Sequence, residues 1–136
     1  VPLQFPADGE LSAQVAETME NRQDVFILDQ KFSTQEYQDL ISSFHLLIGM
    51  RLHALVFAAI NDVPFMAISY DPKVDRFVDG MKGTVVNTIG RITAEELTAM
   101  AEKLWNSDGK QGREQIRALR EEARANIGRA LALAAR

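Results

Sequence analysis

Leu46-Leu47-Ile48-Gly49-Met50-Arg51-Leu52-His53-Ala54-Leu55-Val56-Phe57-Ala58-Ala59-Ile60 is the stretch on which the fold turns. Its first half is a short apolar run ending in glycine, the pattern of a strand covered on both faces. Its second half, residues 51–60, is too uniformly apolar for a surface helix and reads as a buried one. Gly49 between them permits a tight strand-to-helix turn. A strand that passes directly into a buried helix is the opening half of a βαβ unit.

The same alternation extends in both directions. Upstream, Leu11, Val15 and Met19 mark one stripe of a helix reaching to about Arg22. Val25-Phe26-Ile27-Leu28 reads as another buried strand. Ser33 or Thr34 caps a helix whose apolar face is Tyr37, Leu40, Ile41 and Phe44, with Glu36 as its first-turn acid. Downstream, Asn61-Asp62 is a turn and residues 64–69 are a strand. A short helix is expected over 73–81, and Thr84-Val85-Val86 is an edge strand. Thr93 and Glu96 have capping-box spacing at the start of a helix running to about Asn106. Four strands alternating with helices predict an α/β domain with a parallel, doubly wound sheet over residues 1–108. Residues 109–136 form a separate helical tail. Its seam is Ile116, Leu119, Ala123, Ile127, Ala130 and Ala134, and Arg113, Arg117, Arg120 and Arg124 form a row beside it. Arg117 and Glu121 at i, i+4 make a solvated face the simpler reading of that row. Docking against another domain, or against an anionic membrane, is the other.

Composition narrows the function. The 136 residues are 46% apolar and 25% charged, ordinary for a globular chain. Cysteine is absent, which removes disulfides and thiolate metal sites. Two histidines without a carboxylate cluster speak against zinc, and no cofactor is called for. Residues 1–108 hold eight Lys/Arg against sixteen Asp/Glu, a net −8. Residues 109–136 hold seven against three, a net +4. An acidic body is the wrong sign for nucleic acid. No run is apolar enough for a membrane span. The chain starts at Val1 without methionine and reads as part of a longer protein.

Ligands of an open parallel sheet bind beyond the carboxyl ends of its strands. Two segments fall there. Gly49-Met50-Arg51-Leu52-His53 brings a helix start with free N–H groups and the positive dipole end, a natural anion site. Arg51 adds a planar fork for phosphate or carboxylate. His53 can donate a hydrogen bond or move a proton near neutral pH. Ser69-Tyr70-Asp71-Pro72-Lys73 is the second, with Pro72 suited to a first helical turn and Lys73 set against the dipole. Were the two strands neighbours, Arg51, His53 and Lys73 would converge on one small, doubly anionic ligand. Each has a plainer reading. His53 could be a satisfied core residue, Lys73 a surface lysine and Asp71 a turn or cap residue. His45 looks structural. There is no dinucleotide fingerprint, P-loop or nucleophile elbow.

The run 47–59, followed by Val63-Pro64 and Ile68-Ser69-Tyr70-Asp71-Pro72-Lys73-Val74, closely resembles the polysaccharide pyruvyl transferases of bacteria. The likeness is greatest to those acting on cell-wall or exported polysaccharides, and it is strongest over residues 41–79. That resemblance implies the C-terminal, Rossmann-like half of a two-domain GT-B fold, with an N-terminal domain elsewhere. It implies transfer of pyruvyl from phosphoenolpyruvate to a sugar, with lipid-linked sugars among the acceptors. It places the enzyme in the cytoplasm or at the inner face of the membrane. Arg51, His53 and Lys73 would hold phosphoenolpyruvate, with backbone contacts from Gly49 and Leu52; Arg51 and His53 would serve the chemistry. Whether His53 is proton donor or phosphate ligand stays open. This half alone would be inactive, and its bare surface would favour dimerisation. Two alternatives stand beside it. One is a GT-B glycosyltransferase domain holding a nucleotide sugar, though no acidic residue is placed for a ribose. The other is a non-catalytic anion-binding or interaction module in which the Arg/His pair is structural.

Overall fold

The computed structural model describes residues 7–28, 30–81, 84–86, 92–107 and 112–134. In chain order these form α1 (Ala7–Thr18), a 3-10 turn (Arg22–Asp24), α2 (Thr34–Ser42), β1 (Leu47–Gly49), α3 (Leu52–Ile60), β2 (Phe65–Ile68), α4 (Pro72–Gly80), β3 (Thr84–Val86), α5 (Ala94–Trp105) and α6 (Arg113–Ala134). Two compact units result, residues 1–37 and 38–136. The expected boundary at 108/109 lies outside the described residues.

The second unit holds the sheet. Its three strands are all parallel in the order β1-β2-β3, with Leu47 opposite Phe65, Gly49 opposite Ala67, and Met66 opposite Thr84. The expected α/β class with a parallel sheet is therefore present, and among the described strands Thr84–Val86 stands at an edge, as expected. Successive residues of a strand face opposite sides. Phe65 stacks on Phe77 of α4, with ring centroids 6.2 Å apart. Its neighbour Met66 packs with Leu104 of α5, flanked by Leu97, Met100 and Ala101. Helices thus cover both faces of β2, which is why Phe65, Met66 and Ala67 are all buried and the strand reads as a continuous apolar run. α3 lies along β1 and β2, burying Ala54, Leu55, Ala58 and Ala59. Strand order 1-2-3 contains no reversal, so the winding in two directions expected of a doubly wound sheet is not contained in these three strands.

The helix starts obey their caps. Thr93 accepts from Glu96 N–H at 3.2 Å and Glu96 Oε2 accepts from Thr93 N–H at 2.9 Å, a complete capping box. Thr93→Ala should lower stability by about 1 kcal/mol, measured as a shift in the urea midpoint with unchanged slope. At α2 the cap is Ser33 rather than Thr34. The Ser33 backbone N–H donates to Glu36 at 2.7 Å and, with the Ser33 hydroxyl, holds that carboxyl below its ordinary value. Gly112 opens α6 at φ +69, where a Cβ would stand 3.0 Å from the Met81 carbonyl oxygen, so a side chain there would be strained. The start of α6 packs on α3. Ile116 is buried, Arg113 pairs with Asp62 at 3.0 Å, and Arg120 donates to the Ile60 carbonyl at 2.9 Å. Arg117 and Glu121 pair at 3.4 Å in full solvent, as expected for a solvated row.

The first unit departs from the sequence reading. Residues 25–28 are not a strand. Val25 closes the 3-10 turn through its N–H to the Arg22 carbonyl, and Phe26 is 85% exposed. An apolar β-branched run becomes a strand only with a ladder partner and a covering layer, and the described residues supply neither. The stripe of α1 is likewise open to solvent, with Leu11, Val15 and Met19 all exposed. Phe32 and Tyr37 meet edge to face at 5.3 Å. No described helix is long and apolar enough to cross a membrane.

Candidate functional site

β1 and β2 are adjacent and parallel, so the chain leaves both at the same edge of the sheet. From β1 it enters α3 and from β2 it enters α4. Two helix N-termini therefore stand side by side at the carboxyl ends of the strands, the arrangement required for convergence.

Arg51 is the N-cap of α3, with an extended backbone (φ −87°, ψ 124°). Its carbonyl accepts from the N–H groups of Ala54 (3.0 Å) and Leu55 (3.3 Å). The N–H groups of Leu52 and His53 open the helix and have no acceptor within it. The Arg51 side chain does not cap the helix. Its Nη1 reaches across to the β2–α4 loop and donates to the Tyr70 hydroxyl at 3.3 Å. Tyr70, half-exposed, sits in a loop held from below. The Ser69 hydroxyl, 2% exposed, donates to the Asp71 carbonyl at 3.3 Å. The Asp71 carboxylate accepts from the Lys73 N–H at 2.8 Å and caps α4, with Pro72 in its first turn. Asp71 is thus the cap residue its sequence suggested.

His53 and Lys73 both face solvent. Among the described residues neither side chain has a hydrogen-bond or ion-pair partner. Two steps of the sequence argument change accordingly. His53 lies on the exposed side of α3, so the reading of it as a satisfied core residue falls away. Lys73 does not stand against an uncompensated dipole either, because the Asp71 carboxylate lies at the same helix start. Leu52 is half-buried. Gly49 is not held in a left-handed conformation, and a Cβ there would make ordinary contacts of 3.4 Å with Leu55 and 3.6 Å with Leu47. The turn after β1 therefore does not depend on glycine's freedom. His45, expected to be structural, stacks on Trp105 with centroids 5.2 Å apart.

The structure brings Arg51 into contact with Tyr70, a residue the sequence reading did not single out for function. The signal was a phenol one residue from the cap of the neighbouring loop, which means little until the strands are known to be adjacent. Among the described residues no cluster of three metal-ligating side chains occurs.

The family model for polysaccharide pyruvyl transferases matches residues 3–72. The chain belongs to the polysaccharide pyruvyl transferase family. Comparison with curated proteins and with solved structures found no match. The matched range takes in Gly49, Arg51, Leu52, His53 and Tyr70 and stops one residue short of Lys73. It also covers α1 and residues 25–28, where the likeness to pyruvyl transferases was legible only as a pattern. Family membership makes this chain part of a transferase acting in polysaccharide biosynthesis.

Proposed function

We infer that this chain is the donor-binding half of an enzyme that moves pyruvyl from phosphoenolpyruvate to a sugar of a cell-surface or exported polysaccharide. The product is a pyruvate ketal and inorganic phosphate. Residues 1–108 act as the Rossmann-like donor domain of a GT-B enzyme, residues 109–136 as its terminal helix, and the acceptor sugar binds to an N-terminal domain. The observation that carries this reading is that the family match spans two loops, β1–α3 and β2–α4, which the sheet sets side by side with cationic side chains at both helix starts.

The chemistry follows from the ligand's charge. Phosphoenolpyruvate presents a carboxylate and a phosphate. Arg51 offers a planar donor fork, and the α3 start offers the N–H groups of Leu52 and His53. Lys73 stands one residue into the adjoining helix. Protonation of the methylene carbon generates an oxocarbenium-like centre at C2, which a sugar hydroxyl attacks. The C2–O bond to phosphate then breaks, and a second hydroxyl of the same sugar closes the ketal. One hydroxyl proton restores the acid and the other leaves with phosphate. His53, exposed at the helix start, is the group suited to give the first proton or to hold the phosphate. Charge fixed in advance beside the departing phosphate lowers the barrier because no solvent has to reorganise.

Calorimetric titration of the chain with phosphoenolpyruvate is the direct test, and a nucleotide sugar that binds more tightly would favour a glycosyltransferase instead. Tyr70→Phe removes only the hydroxyl that receives Arg51. The KM for phosphoenolpyruvate of the complete two-domain enzyme should rise about three- to ten-fold, the range of one net hydrogen bond, with turnover little changed. An unaltered KM would remove Tyr70 from the site.

A further inference from the structure

α3 and α4 carry the candidate donor residues at their starts, and one segment, the first turns of α6, meets the far ends of both. Each of the two helices has nine residues and is about 12 Å long. At the end of α3, Arg113 pairs with Asp62 at 3.0 Å, Arg120 donates to the Ile60 carbonyl at 2.9 Å, and Ile116 is buried. A guanidinium on one of the last carbonyls of a helix also complements the negative end of its dipole. At the end of α4 the cap residue Met81 is buried, and the Gly112 backbone lies so close that a Cβ would meet the Met81 side chain at 3.3 Å. A single stretch of helix therefore bears on the rear of both elements whose fronts form the candidate site.

The way α3 ends singles out this contact. Its last turn closes as a Schellman motif, with the Val63 N–H donating to the Ala58 carbonyl at 2.9 Å and the Asp62 N–H to the Ala59 carbonyl at 3.4 Å. The left-handed position of that motif ordinarily takes glycine. Here it is Asp62, at φ 57°, and among the described non-glycine residues no other has a positive φ. An aspartate in that conformation is less favourable than glycine, and an exposed ion pair returns little stability. Stability therefore does not account for Asp62, whereas a carboxylate that fixes where α6 meets α3 does. The buried face of α3 leaves its axial position open to such control. Three of its four buried residues are alanines, and Leu55 is the one large side chain among them.

We propose that the start of α6 is a brace that sets the donor site from behind. Asp62, Arg113 and Arg120 are positioning residues that fix α3, Gly112 seats the same segment on α4, and together they hold the starts of the two helices, with Arg51, His53 and Lys73, at a set spacing. The consequence for affinity rests on the donor-site reading; the spacing itself does not. Assigned amide spectra of the 136-residue chain are recorded for the wild type and for Asp62→Gly, Arg120→Met and Arg120→Lys, each followed by urea unfolding and titration with phosphoenolpyruvate. Asp62→Gly should shift the amide resonances of Leu52 and His53, a helix length away, and of Lys73. It should leave the urea midpoint unchanged or raise it, since glycine suits the left-handed position. Phosphoenolpyruvate affinity should fall about two- to thirty-fold, the range for residues that act on a site they do not touch. Arg120→Met should shift the same resonances, and Arg120→Lys, which still donates to a carbonyl, should restore them. Unmoved resonances at residues 52, 53 and 73, or an affinity that falls only in step with the urea midpoint, overturn the proposal. If the wild-type chain binds no phosphoenolpyruvate, the donor-site reading fails, and the resonances still decide whether α6 sets the two helix starts.

Discussion

Phe65→Ala should destabilise the chain by about 3–5 kcal/mol, the usual cost of truncating a buried phenylalanine, read from urea unfolding. Phe65 sits on the central strand, is 1% exposed and stacks on Phe77 of the crossover helix that follows. Removing the ring loses its transfer free energy and leaves a cavity that β2, fixed by strands on both sides, cannot close. A loss of this size is a large fraction of the 5–15 kcal/mol expected for a domain. Phe26→Ala is the control, because in the sequence the two phenylalanines look alike: each lies in a short apolar run of strand character. Phe26 is 85% exposed, and its loss should move stability by no more than about 0.5 kcal/mol. Equal effects from the two substitutions would mean that residues 25–28 are a packed strand after all.

The contrast between those phenylalanines marks where the sequence was legible. β1, β2 and β3 were readable because each is followed or preceded by a helix whose own signals are strong: the apolar run of α3, Pro72 at α4, the Thr93–Glu96 box at α5. Residues 25–28 carry the same apolar content, but a strand is defined by its ladder partner, and nothing local states whether one exists. α1 failed in the same sense. Its period was right and its stripe found no cover among the described residues. At the site, helix starts and cap residues are local properties, so Arg51 and Asp71 were placed correctly. Contact between loops is a property of strand order. Tyr70 therefore became visible only once β1 and β2 were adjacent. Burial misled in the opposite direction, since the apolar tenor of residues 51–60 suggested that His53 was enclosed, yet helical spacing sets it on the outer side.

On the proposed donor-site reading, Arg51→Ala should abolish measurable pyruvyl transfer by the complete enzyme and weaken phosphoenolpyruvate binding to this chain about ten- to hundred-fold, the range for hydrogen bonds to a charged group. The side chain is held in place from outside its own helix, through the Tyr70 hydroxyl at 3.3 Å, rather than spent on capping α3. Its removal should therefore cost affinity more than stability, because the contact it makes with Tyr70 is at the surface and its side chain does not cap α3. That separates the donor-site reading from a structural one, in which Arg51→Ala would lower the unfolding midpoint and leave ligand binding unchanged. Arg51→Lys should recover little, since an ammonium keeps the charge but not the two-pronged geometry. His53→Ala sharpens the test. With no partner among the described residues its loss should leave folding intact, so any fall in transfer reports on the chemistry itself. A proton donor and a phosphate ligand then part company. Loss of turnover at unchanged phosphoenolpyruvate affinity assigns His53 to proton transfer, and parallel loss of both assigns it to the phosphate. Near wild-type transfer in His53→Ala would exclude it from either role.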